Sequence, residues 1–212
     1  MRSVHTYTDL LFRITPCFPF VTTRQTHVGT DVHTAMFLTV AKCLSFSRCS
    51  YGTSGCESGL PEQAFEYVVQ SRGLATAADY AYYGGDWQPC RSPPALASLA
   101  TWRYTTRGSE PELQYVLAAV GPVAARMDAD HTSFQLYQGG VYDHLHCSTT
   151  KLNLAVQIVG FGTELVYGQE VPYWLAKNAW GAGWGEYGYI KIHKDAQNMC
   201  GIATDVTYPV VG

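Results

Sequence analysis

The chain has 212 residues, 47% of them apolar and 15% charged, enough for one large or two small buried cores. Its 14 Lys and Arg against 17 Asp and Glu leave a net charge of −3, which excludes recognition of nucleic acid through a basic surface. Apolar runs stop short of the ~18 residues of a membrane span, Leu10-Leu11-Phe12 being cut by Arg13, and no stretch reads as a signal peptide or prosegment. In chain order, residues 1–48 show no sustained period, although Val32, Met36, Phe37 and Val40 allow a helix over 32–44. Pro61 at a first turn, Phe65, Val68 and Val69 on one face, and Gly73 as a stop predict a helix over 61–72. Residues 74–108, rich in Tyr, Gly, Pro and Ser, read as an irregular connection. Ser109-Glu-Pro-Glu112 is a capping box ahead of Leu113, Val116, Leu117 and Val120, with Gly121 ending the helix. The period then changes to two, predicting strands at 123–129, 155–161, 173–178 and 189–193. A helical half followed by a strand half is an α+β chain, with a boundary expected near residues 100 to 110.

Seven Cys, five of them (49, 56, 90, 147 and 200) among Gly, Ser and Asn, point to an oxidising compartment, and an odd number leaves one unpaired in a monomer.

Four segments carry a resemblance: Gly55-Cys-Glu-Ser-Gly-Leu-Pro-Glu-Gln-Ala-Phe-Glu-Tyr67, Phe134-Gln-Leu-Tyr-Gln-Gly-Gly-Val-Tyr142, Lys177-Asn-Ala-Trp-Gly-Ala-Gly-Trp-Gly185, and Asn198-Met-Cys-Gly-Ile-Ala203 with Tyr208-Pro209. In that order they resemble papain-like cysteine peptidases of the cathepsin L and cathepsin H types, over about residues 49–212. The resemblance implies a mostly helical domain and a β-barrel-like domain with the site in the cleft between them. On that pattern residues 1–48 are an atypical segment, 49–108 the remainder of the helical domain, and 109–212 the β-rich domain. It also implies peptide or protein substrates, a monomer, no cofactor, no nucleic acid or membrane partner, and a lysosomal, vacuolar or extracellular setting.

Chemistry of this type needs a Cys thiolate beside an imidazole that lowers the thiol pKa and later protonates the leaving amine. The orienting Asn of the family falls on Asn178, with Trp180 as the shield over its hydrogen bond to the imidazole. The imidazole itself is missing. In Lys151-Leu-Asn-Leu-Ala-Val-Gln-Ile-Val-Gly-Phe-Gly162, Leu154 stands where the family has its catalytic His. Leucine neither accepts nor delivers a proton, and each of those roles typically contributes ~10²–10⁴-fold. His144 and His146 lie ten and eight residues before Leu154 and read as solvated loop histidines. The positional equivalent of the nucleophile is Cys17, in Cys17-Phe-Pro-Phe-Val-Thr-Thr23. Before it, Leu11 takes the place of the family's oxyanion-hole Gln and has no side-chain donor.

These substitutions leave three readings: an impaired peptidase, a non-catalytic protein that binds peptide in its cleft, or a defective gene product. The third has its own signal. A back-translation of Leu38 to Lys42 read two bases later gives Asp-Gly-Gly-Lys, similar to the family's stretch before the equivalent of Cys49, so residues 1–48 read as a shifted frame. On that account Cys17 is accidental and residues 1–35 are the least buried part of the chain.

The resemblance also implies a disulfide pattern, Cys49 with Cys90 and Cys147 with Cys200, leaving Cys56 without its usual partner because Ile14 stands there. Thiol counting on the denatured, unreduced chain is expected to find 7 − 4 = 3 free thiols, and a count of one would overturn this pairing. Finally, the substrate-binding positions fall on Gly59, Pro61, Arg126, Leu152, Asp205 and Trp180. Arg126 and Asp205 put two opposite charges into a pocket that is apolar in the family, and a facing pair is the arrangement that satisfies both.

Overall fold

A computed structural model describes residues 59–73 and 98–210. The helix expected over 32–44, Leu11, Cys17, Cys56 and the Cys49–Cys90 pair lie outside the described residues. The chain divides into two units, one holding the described residues up to Trp102 together with Pro209 and Val210, the other Arg103–Tyr208.

In the first unit, α1 (Pro61–Gln70) begins at a Pro that has no N–H to leave unsatisfied, and Gln63 Oε1 accepts from the Leu60 N–H at 3.1 Å. Pro61, Phe65 and Val68 form its buried face. The helix ends at Gln70, and both Arg72 (φ 57°) and Gly73 (φ 132°) take positive φ. The N–H groups of Arg72 and Gly73 then return to the Val69 and Val68 carbonyls, closing a Schellman turn. Trp102 Nε1 donates to Glu66 Oε2 at 3.1 Å.

The second unit is built on one sheet, order β1-β7-β2-β4-β5-β6-β3, whose ends do not join. The strands of the sheet are β1 (Thr101–Tyr104), β2 (Val123–Met127), β3 (Val141–Tyr142), β4 (Leu154–Val166), β5 (Gln169–Lys177), β6 (Tyr189–His193) and β7 (Asp205–Val210), with the first two residues of β1 and the last two of β7 counted in the first unit. Residues 101–104, taken from sequence as irregular, are a strand, because Thr-Trp-Arg-Tyr is β-prone and has an edge beside β7 to pair with. The hairpin of β4 and β5 runs past both expected ends, since ladder pairing from Gln157↔Lys177 to Val166↔Gln169 holds polar and exposed residues that the periodic signal leaves out.

Two helices pack with this sheet, α2 (Glu110–Ala119) and the single-turn α3 (Thr132–Gln135). The capping box of α2 is half realised. Ser109 Oγ accepts from the Glu112 N–H at 3.2 Å, but Glu112 Oε2 turns outward to the Thr106 N–H at 2.7 Å. Those bonds to Thr106 hold the Glu112 carboxyl below its usual range.

The period of two decides what faces what. Val123, Ala125 and Met127 of β2, Leu154, Val156 and Ile158 of β4, Trp174 and Ala176 of β5, and Ile190 and Ile192 of β6 all enter one core with Leu113, Val116 and Leu117 of α2. Each Val, Leu, Ile or Met among them contributes roughly 1.5–3 kcal/mol by leaving water. The alternate residues, Arg126 and Asp205 among them, face the other side of the sheet.

Candidate active site

Antiparallel pairing of β2 with β4 sets Leu154 directly opposite Met127. Leu154 is only 8% exposed and belongs to the core with Phe134 and Trp174. The β4–β5 register, Gln157 opposite Lys177, brings Leu154 and Asn178 to the same end of that ladder. Asn178 is 3% exposed, its N–H donates to the Gly188 carbonyl at 2.9 Å, and its Oδ1 accepts from the Ala179 N–H at 2.7 Å. Its Nδ2 is buried with no hydrogen-bond partner among the described residues. A buried N–H₂ without an acceptor costs ~1–3 kcal/mol.

Trp180 is 43% exposed and makes edge-to-face contacts with Phe134 (5.5 Å) and Trp184 (5.4 Å). It is an aromatic shelf at the surface. Trp184 is fixed by its Nε1–H, 3.1 Å from both the Phe134 and Gln135 carbonyls. Gly185 has a steric reason: a Cβ there (φ 57°) would stand 2.5 Å from the Tyr189 carbonyl.

The start of β4 is positioned by Asp128, which sequence reasoning missed. The buried carboxylate accepts from Asn153 Nδ2 (2.8 Å), the Ser148 N–H (2.8 Å) and the Asp130 N–H (3.2 Å), and meets His131 Nε2 at 3.1 Å. Asn153 Oδ1 in turn accepts from the Ala129 N–H at 2.8 Å, tying the end of β2 to the residue before Leu154. The i to i+3 spacing of Asp128 and His131 was the available signal, and nothing local marks Asn153 as their partner. His144 also departs from the expected solvated histidine. It is half-buried, stacked on His131 at 4.3 Å, and its N–H points at Met199 Sδ at 3.5 Å. His146 is exposed as expected.

A second network supports the loop after Asn178. Glu186 Oε1 accepts from the Gly140 N–H at 2.9 Å, its Oε2 pairs with Lys191 Nζ at 3.0 Å, and Lys191 also reaches Glu164 at 2.7 Å. Tyr137 donates to the Gly140 carbonyl at 2.6 Å; burial, with the Glu186 carboxylate beside it, pushes its phenol up to about 12.

Arg126 and Asp205 are opposite one another in the β2–β7 register, and the guanidinium meets the carboxylate at 2.9 Å. Arg126 also lies 3.5 Å from the Leu152 carbonyl, so Arg126, Leu152 and Asp205 are brought together. Pro61 is buried and Gly59 half-buried, at the start of α1 in the other unit. The disulfide Cys147–Cys200 is formed as expected.

Residues 16–210 match the family model described as papain family cysteine protease. The chain belongs to that family. It is 42% identical over 163 residues to a cathepsin L-like protein of Caenorhabditis elegans, covering 76% of this chain and 47% of that one. Cathepsin J of Mus musculus is 43% identical over 173 residues, covering 81% and 51%. Among solved structures, the digestive procathepsin L2 proteinase from Tenebrio molitor larval midgut superposes with a TM-score of 0.74 at 38% identity, covering 79% of this chain and 52% of that one. The bromelain protease of Ananas comosus, solved with the E64 inhibitor, gives 0.72 at 30% identity, covering 84% and 86%. The chain thus spans about half the length of the two cathepsin relatives. The family match starts 49 − 16 = 33 residues before Cys49 and includes Cys17.

Two carboxyls of this region set the acid limit of stability. Burial raises both, but the hydrogen bonds on Asp128, and Lys191 with the Gly140 N–H on Glu186, outweigh it and hold them below their ordinary 3.8 and 4.5. Carboxyls lowered by folding stabilise above their unfolded pKa and lose that contribution as pH falls through the folded value. Melting temperature is therefore expected to stay level from pH 7 to about 5 and to drop below about 4, with a smaller drop in Asp128→Asn and Glu186→Gln. Tyr137, raised from 10.0 to about 12, and Lys191, raised by its two carboxylates, act in the opposite sense, and stability falls as pH rises beyond about 10.

Proposed function

We propose that this chain is a papain-type cysteine peptidase with impaired hydrolysis, which holds peptide at its site more effectively than it cleaves it. The observation that carries this reading is Leu154, packed in the core where the resemblance calls for the family's His, at the same end of the β4–β5 ladder as Asn178. Without an imidazole the thiol has no base and the leaving amine no acid, while the aromatic shelf at Trp180 and the strand framework for peptide remain. That the family match reaches back past Cys17 supports Cys17 as the nucleophile position over the shifted-frame account. Papain-type relatives and the internal disulfide support a lysosomal, vacuolar or extracellular setting and peptide or protein ligands. The test is hydrolysis of short fluorogenic peptides under reducing conditions, for the unaltered chain beside Leu154→His. Turnover by the unaltered chain at the rate of a cathepsin L would overturn impairment.

The Arg126–Asp205 pair supports a narrower reading, that the pocket for the second side chain before the scissile bond is filled by charge. Ion pairing satisfies both groups, and removing one leaves the other poorly solvated. The double variant Arg126→Ala, Asp205→Ala is expected to bind peptides with a bulky apolar residue at that position about tenfold or more tighter, each buried side chain being worth ~1.5–3 kcal/mol. Unchanged affinity, measured by fluorescence anisotropy, would sink the plug.

A further inference from the structure

The Arg126–Asp205 pair does not use up the hydrogen-bonding capacity of its two members. They meet through a single short bond, Arg126 Nη1 donating to Asp205 Oδ2 at 2.9 Å. Arg126 Nη2 lies 3.5 Å from the Leu152 carbonyl, a bond too long to be strong. A guanidinium has further N–H groups, and a carboxylate has a second oxygen. Among the described residues no protein group takes up Asp205 Oδ1 or the Nε of Arg126. The two side chains are 26% and 23% exposed, so the pair is a surface a ligand can touch and not a sealed core contact.

The strands hold this arrangement in place. The β2–β7 register sets Asp205 opposite Arg126, and the β2–β4 register sets Ala155 on the other flank, where it brings only a methyl group. Leu152 is kept beside the pair by packing on Gly201, where an added Cβ would stand 2.6 Å from Leu152 Cδ2. A donor and an acceptor are thus fixed side by side.

Side chains of different kinds fare differently against such a pair. An apolar one takes water from the free donor and acceptor and returns no hydrogen bond. A cationic one gains Asp205 but meets Arg126, and an anionic one gains Arg126 but meets Asp205. In both cases the like charge offsets the unlike one, and the ligand's own loss of hydration is left uncompensated. A carboxamide is neutral and carries an N–H₂ donor beside a C=O acceptor. It can donate to Asp205 Oδ1 and accept from an Arg126 N–H while the 2.9 Å bond stays intact.

We infer that Arg126 and Asp205 select peptides carrying glutamine or asparagine at the position that corresponds to the second residue before the scissile bond. The inference rests on the reading of this chain as a papain-type protein that holds peptide with the pair in that pocket. Both bonds to the carboxamide are charge-assisted, and a site that hydrogen-bonds its ligand rejects the apolar isostere far more sharply than an apolar pocket rejects a changed methylene.

The test is fluorescence anisotropy of the unaltered chain with short, blocked, labelled peptides that differ only at this position. Asn and Leu have nearly the same shape, as do Gln and Met, so each comparison isolates polarity. The better of Gln and Asn is expected to bind at least about tenfold more tightly than its apolar isostere, and more tightly than Glu or Lys. Moving that residue one place along the peptide should remove the advantage, which fixes the register. In Arg126→Ala, Asp205→Ala the order should reverse in favour of Met and Leu. Equal binding of carboxamide and isostere, tightest binding of Glu or Lys, or a carboxamide advantage that survives the double variant overturns this inference and leaves the peptide-holding reading standing. Binding of no peptide in the set overturns that reading, and this inference with it.

Discussion

Leu154→His is expected to raise peptide hydrolysis by ~10²-fold or more over the unaltered chain, because general acid and general base work each contribute ~10²–10⁴-fold. The new imidazole would enter at the first residue of β4, opposite Met127, on a segment anchored by the Asn153 and Asp128 hydrogen bonds. Asn178 Oδ1 already accepts from Ala179 and retains a second lone pair for an imidazole N–H. Exchanging a core leucine for a histidine costs roughly 1–3 kcal/mol, so the variant is compared by circular dichroism before its rates are read. Leu11→Gln on the same background restores a side-chain donor to the oxyanion, worth a further ~10²-fold or more. Cys17→Ala in the doubly altered chain should return hydrolysis to background. A folded Leu154→His chain with no gain in rate would mean that the thiol is not delivered beside residue 154, and that the impairment does not reside in the missing imidazole alone.

Local signals made some of this molecule legible and not the rest. Val123, Ala125 and Met127, then Val156 and Ile158, announce their inward face by alternation, and Ser109 announces its helix because a cap is a contact over three residues. Leu154 stands out in the sequence for another reason, that the resemblance calls for a proton carrier there, and the structure adds that it packs in the core. The facing of Arg126 and Asp205 rests on a ladder between residues 79 apart in sequence, and its expectation needed the family pattern to put both in one pocket. Asp128, Glu186 and Lys191 had no such guide. A buried carboxylate receiving N–H groups from Ser148, 20 residues on, looks in sequence like any loop aspartate. His144 was misread because its stacking partner, His131, lies on the far side of α3 and β3, and sequence alone gives a loop histidine no reason to be half-buried.

Glu110→Ala is expected to destabilise the chain by about 3–5 kcal/mol, a large share of the ~5–15 kcal/mol that holds a domain folded. Glu110 opens α2 and is 7% exposed. Its Oε2 accepts from the indole N–H of fully buried Trp174 at 2.9 Å and from the Asp195 N–H at 2.7 Å, while Oε1 accepts from the Asn198 N–H at 2.9 Å. One carboxylate therefore satisfies three donors from two segments distant in sequence, and each donor left unpaired costs ~1–3 kcal/mol. Glu110→Gln is the informative companion: it keeps one acceptor oxygen but aims an amide N–H₂ at a donor, and should lose about half as much. The damage should spread in a defined direction. Asn198 holds a left-handed conformation (φ 59°) from which its Oδ1 accepts from the Ala203 N–H at 2.7 Å and its Nδ2 donates to Thr204 at 2.8 Å. Loosening Asn198 thus releases the turn that carries Cys200 and leads into Asp205. Urea titration of Glu110→Ala, with amide exchange followed at Ile202 to Thr204, tests both parts. A loss under 1 kcal/mol, or exchange that quickens no more at this turn than in β4, would show that the three bonds are replaced by water without cost.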